Sequence, residues 1–258
     1  MTITPDHLKN QNQGLTLGLG RDGAATVTKA LTGQPQRDTL LEDLNVVASQ
    51  FGLVDDILLA GTSLMASDKS ADILMFHPEA YAEGVRSIGI AIAKTQSVVV
   101  KATLAANGTI QAWTGGQPMP KREDGNGSPD PTDAGEALAF VFGLGKVNIG
   151  AGATADLTAK ATRNCTLGAL FIDASASGID LTIQAVKINN RPLLIGRQDT
   201  TIDGVGILAY SYLATDLDGR IMAQTVEVSD VVTITILNNN AGALDVYGGI
   251  FCMHGDEE

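Results

Sequence analysis

Beyond Gly135 the chain is a succession of short apolar or alternating segments divided by turn residues, and this spacing limits its possible folds more than any other feature. The segments are 138–143 (LAFVFG), 154–162 (TADLTAKAT), 166–173 (TLGALFID), 180–188 (DLTIQAVKI), 192–196 (PLLIG), 205–212 (VGILAYSY), 221–228 (IMAQTVEV), 231–237 (VVTITIL) and 243–253 (ALDVYGGIFCM). Ser177-Gly178, Asn189-Asn190, Asp218-Gly219 and Asn238–Asn240 punctuate them. Strands recurring every ~8–12 residues predict an antiparallel β-sandwich over 138–253. No crossover helix separates them, which argues against a parallel α/β sheet. Val231–Leu237 is expected to be a central strand, with Val232, Ile234 and Ile236 on one face and Val231, Thr233, Thr235 and Leu237 on the other. Leu167–Ile172, Gly206–Tyr210 and Gly248–Met253 are apolar on both faces. One face fills a core and the other needs a cover, which predicts contact with a neighbouring subunit.

The N-terminal half is less regular. Its first 36 residues are polar, with short strands expected at Leu15–Leu19 and Ala24–Leu31. Leu40, Leu41, Leu44, Val47 and Ala48 recur at helical spacing, Thr39 and Glu42 form a capping-box pair, and Gly52 offers a stop, so a helix is predicted over 39–50. Strands are expected at Ile57–Ala60, Ala71–Phe76, Ser87–Ala93 and Ser97–Leu104, and one helical turn at 78–85. Asn107-Gly108 between two apolar runs predicts a hairpin whose returning strand carries Ile110, Ala112 and Trp113. Residues 114–135 hold four prolines and five glycines without an apolar run, which reads as an exposed loop or linker. The expected organisation is therefore a polar segment at 1–36, a β domain with a short helix at 37–113, a Gly/Pro-rich linker at 114–135 and a β-sandwich at 136–258. The fold class is mainly β, with two β-sandwich domains, the first one irregular. Thr95–Leu104 and Thr154–Thr162 share a Thr-x5-Lys-Ala-Thr spacing, a short echo of the kind that related units or chance can leave.

Composition narrows the function. The net charge of −12 argues against nucleic acid, whose phosphates require Lys and Arg. No apolar run reaches the ~18–20 residues of a membrane span. The opening MTITPDHLKNQNQG lacks the basic and apolar regions of a signal peptide. Cys165 and Cys252 are too few for a disulfide framework and read as buried structural thiols. Aromatics are only 4% of the chain while Gly counts 29, so broad small-residue contacts replace aromatic anchors.

Local motifs add little chemistry. Gly18-Leu19-Gly20-Arg21-Asp22-Gly23 spells GxGxxG, but Pro35 cuts short the segment after it and no βαβ context exists, so a glycine-rich turn is favoured over a nucleotide loop. Asp216-Leu217-Asp218-Gly219 begins like a calcium loop, yet Gly219 is fourth and Arg220 fifth where an EF-hand needs Gly sixth and an oxygen ligand fifth. A hairpin turn is favoured, with Asp216 and Asp218 as a weak calcium candidate. Cys252-x-His254 supplies too few ligands for a metal, and His7, His77 and His254 have no nucleophile beside them in sequence. Trp113, Tyr210 and Tyr212 can stack on sugars but read first as core or interface residues, and Lys121–Asp124 reads as a solvated loop tip. No catalytic residue and no cofactor is expected.

Thr225–Leu237, TVEVSDVVTITIL, with NNNAGALDVYGGIFCM directly after it, resembles the closing strands of viral jelly rolls. The two-part β layout with one long loop is similar to the double jelly-roll major capsid proteins of tailless, membrane-containing icosahedral bacteriophages such as corticoviruses and the finnlakevirus group. The resemblance implies two jelly rolls, a homotrimer of pseudo-hexagonal outline, and an icosahedral shell over an internal membrane. It further implies other virion proteins as partners, and assembly in a bacterial host cytoplasm into a virion. The competing expectation is a phage spike, head-fibre or bacterial surface β-sandwich module that grips a glycan or receptor.

Overall fold

The computed structural model describes residues 15–24, 27–77, 90–118, 140–174, 179–202 and 224–253. The chain is mainly β. Its first half carries β1 (Leu15–Ala24), β2 (Lys29–Gly33), β3 (Thr39–Ala48), β4 (Gly52–Leu59), β5 (Thr62–Ser63), β6 (Ala71–Asp72), β7 (Ile90–Ile92), β8 (Val98–Leu104) and β9 (Gly108–Pro118). Its second half carries β10 (Val141–Ile149), β11 (Thr154–Lys160), β12 (Cys165–Ala174), β13 (Ile179–Ile188), β14 (Arg191–Ile202), β15 (Gln224–Val226), β16 (Val231–Asn238) and β17 (Leu244–Met253). A single 3-10 turn at Ile73–Phe76 interrupts the described strands.

Among the described residues every pairing between these strands is antiparallel, and the strands form four sheets. The first half forms β1-β9-β3-β7 and β2-β8-β4-β5, with β6 also paired to β4. The second forms β10-β17-β12-β15 and β11-β16-β13-β14. If β5 and β6 are counted as one split fifth strand, both halves read 1-8-3-6 in one sheet and 2-7-4-5 in the other. The irregularities repeat as well. Strand 1 bulges against strand 8 at Gly18/Gly20 and at Gly143/Gly145. Strand 3 bulges against strand 8 at Leu41/Asp43 and at Leu167/Leu170. Strand 4 bulges against strand 7 at Val54/Asp56 and at Ile183/Ala185, whereas the 2·7 pairing is unbroken in both halves.

Several expectations are corrected. The helix predicted over 39–50 is strand β3. The bulge at Leu41/Asp43 inserts one residue into the alternation, which puts Leu41 and Leu44 on the same inward face and imitates a helical i, i+3 spacing. Asn107-Gly108 is not a hairpin, because β8 pairs with β2 and β4 while β9 pairs with β1 and β3. The turn there carries the chain from one sheet to the other. The two-residue geometry expected of it occurs instead at Ala60-Gly61, with φ of +52° and +84°, joining β4 to β5. Ala24–Leu31 is not one strand but the end of β1 and the start of β2. Ala71–Phe76 pairs only through Ala71–Asp72, since the Asp72 carboxylate accepts from the Leu74 amide at 3.0 Å and coils the chain into the 3-10 turn. The Gly18–Gly23 motif is bulged strand and not a turn. The expected boundary at 113/114 falls inside β9, which runs to Pro118. The Lys-Ala-Thr echo joins β8 to β11, which hold different places in their sheets. Residues 78–85, 119–135 and 205–212 lie outside the described residues.

The regular segments match their expectation. β16 is central between β11 and β13, with Val232, Ile234 and Ile236 each 0% exposed. Asn189-Asn190 closes the β13–β14 hairpin, with Asn189 at a φ of +54°.

Two hydrophobic clusters hold the chain. One fills the space between the sheets of the second half, from Phe142 and Leu144 through Ile172 to Val246 and Ile250. The other fills the first half and continues into Phe140, Val141, Phe171 and Phe251 of the second. The sheet β10-β17-β12-β15 is therefore buried on both faces, and the cover its apolar strands require comes from the same chain. That answers the doubly apolar character of Leu167–Ile172 and Gly248–Met253 without a neighbouring subunit.

Candidate functional site

The seam between the halves concentrates the unusual chemistry. On β10, β17 and β12 the residues that face the first half include Val141, Gly143, Phe251, Gly249, Tyr247, Phe171 and Asp173. Gly143 and Gly249 are register partners and form a shallow trough. The segment 69–76 lies in it. The Gly145 amide donates to the Ser70 carbonyl at 2.8 Å, and the Ser67 hydroxyl donates to the Gly143 carbonyl at 2.7 Å. Around the trough the scarce aromatics gather. Phe251 has its ring centre 5.4 Å from Phe171, 5.5 Å from Phe140 and 5.9 Å from Phe76, and Phe51 stacks on Tyr247 at 6.0 Å. Edge-to-face and offset packing of this kind adds to the stabilisation from area burial alone.

Two carboxyl groups lie in this apolar setting. Asp72 comes from β6 of the first half and Asp173 from β12 of the second, where it is the register partner of Tyr247. Each is 2% exposed. Asp72 has the Leu74 amide as donor, but neither carboxylate oxygen of Asp173 has a hydrogen-bond partner. Burial pushes Asp72 up to about 7. Asp173 is pushed up to about 9, first by burial and then by the negative charge of Asp72, with the nearby Ala174 amide lessening the shift. Tyr247 is pushed up to about 12 by burial and by the charges of Asp245, Asp72 and Asp173. The arrangement can hold protons out of reach of solvent.

At the outer edge of the seam is a polar cleft of about 450 Å³, lined in part by Asp55, Asp56, Asp68, Lys69 and Arg163. Its carboxylates are already engaged. Asp55 accepts from the Ser70 and Thr103 hydroxyls at 2.8 and 2.6 Å, Asp56 pairs with Lys101 at 3.3 Å, and Asp68 accepts from the Lys160 amide at 2.8 Å.

Of the residues singled out in the sequence, Cys165 and Cys252 meet on the neighbouring strands β12 and β17, 9% and 7% exposed. The contact with the Cys252 thiol lowers the pKa of Cys165. The same contact, together with burial, raises that of Cys252. His77 comes directly after the 3-10 turn, and its amide donates to the Leu74 carbonyl at 3.0 Å. Trp113 is partly buried on β9, in register with Gly18 on β1 and Asn45 on β3. Asp216, Asp218, Tyr210, Tyr212, His7, His254 and Lys121–Asp124 lie outside the described residues. Among the described residues no group of three or more His, Cys, Asp or Glu side chains could hold a metal ion. Sequence reading did not single out Asp72 or Asp173. The only local sign is that each is flanked by apolar residues on both sides, in ADI and FIDA. Neither the models of known protein families nor the curated proteins include a match to this chain.

Proposed function

We propose that the chain is a tandem pair of jelly rolls, one on each side of a boundary between Pro118 and Val141, and that it serves as a major capsid subunit. The observation that carries this reading is the strand order 1-8-3-6 and 2-7-4-5, the order of a jelly roll, occurring twice in one chain. The shared bulges at the 1·8, 3·8 and 4·7 pairings support it independently, because bulges mark a particular sheet curvature and not merely a strand count. One jelly roll serves lectins and enzymes as well as shells. Two fused across a shared hydrophobic seam suit a tiling unit, because three such chains set six like lobes around one axis and fill a pseudo-hexagonal outline. On this reading the chain is a structural protein of a virion, assembled in a bacterial host. Its partners are copies of itself, other virion proteins and an underlying membrane.

Among the described residues, the seam already covers the sheet β10-β17-β12-β15 on its second apolar face. Subunit contacts then fall to the outer faces and loops, such as the exposed Thr154, Asp156, Thr158 and Lys160 on β11. With −12 charges per chain, such contacts tighten as salt screens repulsion. Electron microscopy of the purified protein at micromolar concentration in moderate salt tests the proposal. Particles with six lobes around a threefold axis are expected, and isolated two-lobed molecules at all concentrations contradict it.

A further inference from the structure

We infer that the Asp72–Asp173 pair is a proton-binding latch of the seam, docking the two halves while it carries a proton and loosening them when both carboxyls are ionised. The geometry carries this. The two acids come from opposite halves, each is 2% exposed, and Asp173 has no donor for either oxygen. Around them are Ala71, Ile73, Met75 and the Phe251 cluster. A buried carboxylate without a donor is strongly disfavoured, and a second one beside it more so. Neutralisation must come from a bound ion or a proton.

Among the described residues, the neighbouring charged groups do not supply it. On β17, Tyr247 is neutral and Asp245 is negative. On β10, Lys146 is held by Asp245 at 2.8 Å, with its ammonium 5.7 Å from the Tyr247 ring centre. On β4, Asp56 engages Lys101, and Asp55 takes hydroxyl donors. Lys69, beside the trough, is exposed. The influences acting on Asp173 among the described residues are burial, the charge of Asp72 and the Ala174 amide, and none of these is a cation. Two carboxyls and a phenol would leave most of the six or more oxygen positions of a hard divalent cation to be filled by water.

Both folded values, about 7 and about 9, lie above the ordinary carboxylate value of 3.8. For such groups the fold is undisturbed below the unfolded value. It loses stability as pH rises through the window up to the folded values, and the loss is constant above them. The latch does not depend on the capsid reading, since it concerns only how the two halves of one chain hold together.

The experiment measures denaturant unfolding midpoints of the full chain at pH 5, 7 and 9.5, for the natural sequence and for Asp173→Asn and Asp72→Asn. Infrared spectra over the same range follow the protonated carboxyl band. The natural chain is expected to show a midpoint that falls with pH and a buried carboxyl band that disappears between pH 6 and 10. Asp173→Asn is expected to flatten the fall by at least half and remove the band's alkaline component. An unchanged pH slope in both variants overturns the latch. So does the absence of a protonated band at pH 6, a reading that needs no variant to fold. If calcium or magnesium raises the midpoint at pH 8 and Asp173→Asn abolishes the effect, the pair is a cation site and the proton latch is wrong.

Discussion

Gly143 and Gly249 are opposite one another on β10 and β17, and the main chain of Lys69 and Ser70 crosses one while the Met75 thioether rests on the other. A Cβ on Gly143 would run into the carbonyl oxygens of Lys69 and Ser70, which are fixed by the hydrogen bonds of the trough. A Cβ on Gly249 would meet the thioether of Met75, a flexible side chain that gives way more readily than backbone. Gly143→Ala is therefore expected to destabilise by about 3 kcal/mol or more, and Gly249→Ala by about 1 kcal/mol, bracketing the usual range for overpacking. Denaturant unfolding of the two variants side by side checks the order.

Phe251 is the hub of the seam, in ring contact with Phe76 from one half and with Phe140 and Phe171 from the other. Phe251→Ala is expected to cost about 3–5 kcal/mol through lost contact and the cavity left behind. Thermal unfolding at neutral pH measures it.

Asn238 is 0% exposed and ties three strand ends together. Its amide donates to the carbonyls of Ile149, Gly150 and Gly242 at 3.0, 3.2 and 2.8 Å, and its oxygen accepts from the Asn240 amide at 2.9 Å. Asn238→Ala leaves these groups without partners and is expected to cost about 1–3 kcal/mol. Asn238→Asp is expected to be worse, by an amount that grows as pH rises above about 4, because an ionised carboxylate would face three carbonyl oxygens in a buried site. A pH series of unfolding midpoints on both variants separates the two effects.

The fold is legible in the sequence wherever alternation stays intact. Val231–Leu237 has no bulge of its own, so its period-2 pattern reads directly as β16. Thr39–Ala48 carries one extra residue at Glu42, and that single insertion turns a strand pattern into a helical one. Turn chemistry is legible as turns but not as pairings. Asn189-Asn190 joins neighbours in one sheet and Asn107-Gly108 joins two sheets, a difference that lies in strand contacts remote from either turn. The Asp72–Asp173 pair is invisible for the same reason. Residues 101 positions apart in sequence come together only when the halves dock, and the apolar neighbours of each acid do not by themselves encode the meeting.

The contact between the thiols makes Cys165 easier and Cys252 harder to ionise, but both are buried, and burial is what keeps reagents from either one. Disulfide-exchange reagents are expected to modify neither in the folded protein at pH 7–8, and both at once after denaturation. Rapid native labelling of either one would show that the edge of sheet β10-β17-β12-β15 is open.

The most direct test of the capsid reading is the native mass of the purified chain, by light scattering or sedimentation, at low and at moderate ionic strength. The account predicts a trimer of about 80 kDa, three chains of 26.8 kDa, or a larger assembly, favoured as salt screens the −12 charge. A stable 26.8 kDa monomer across that range at micromolar concentration would contradict it.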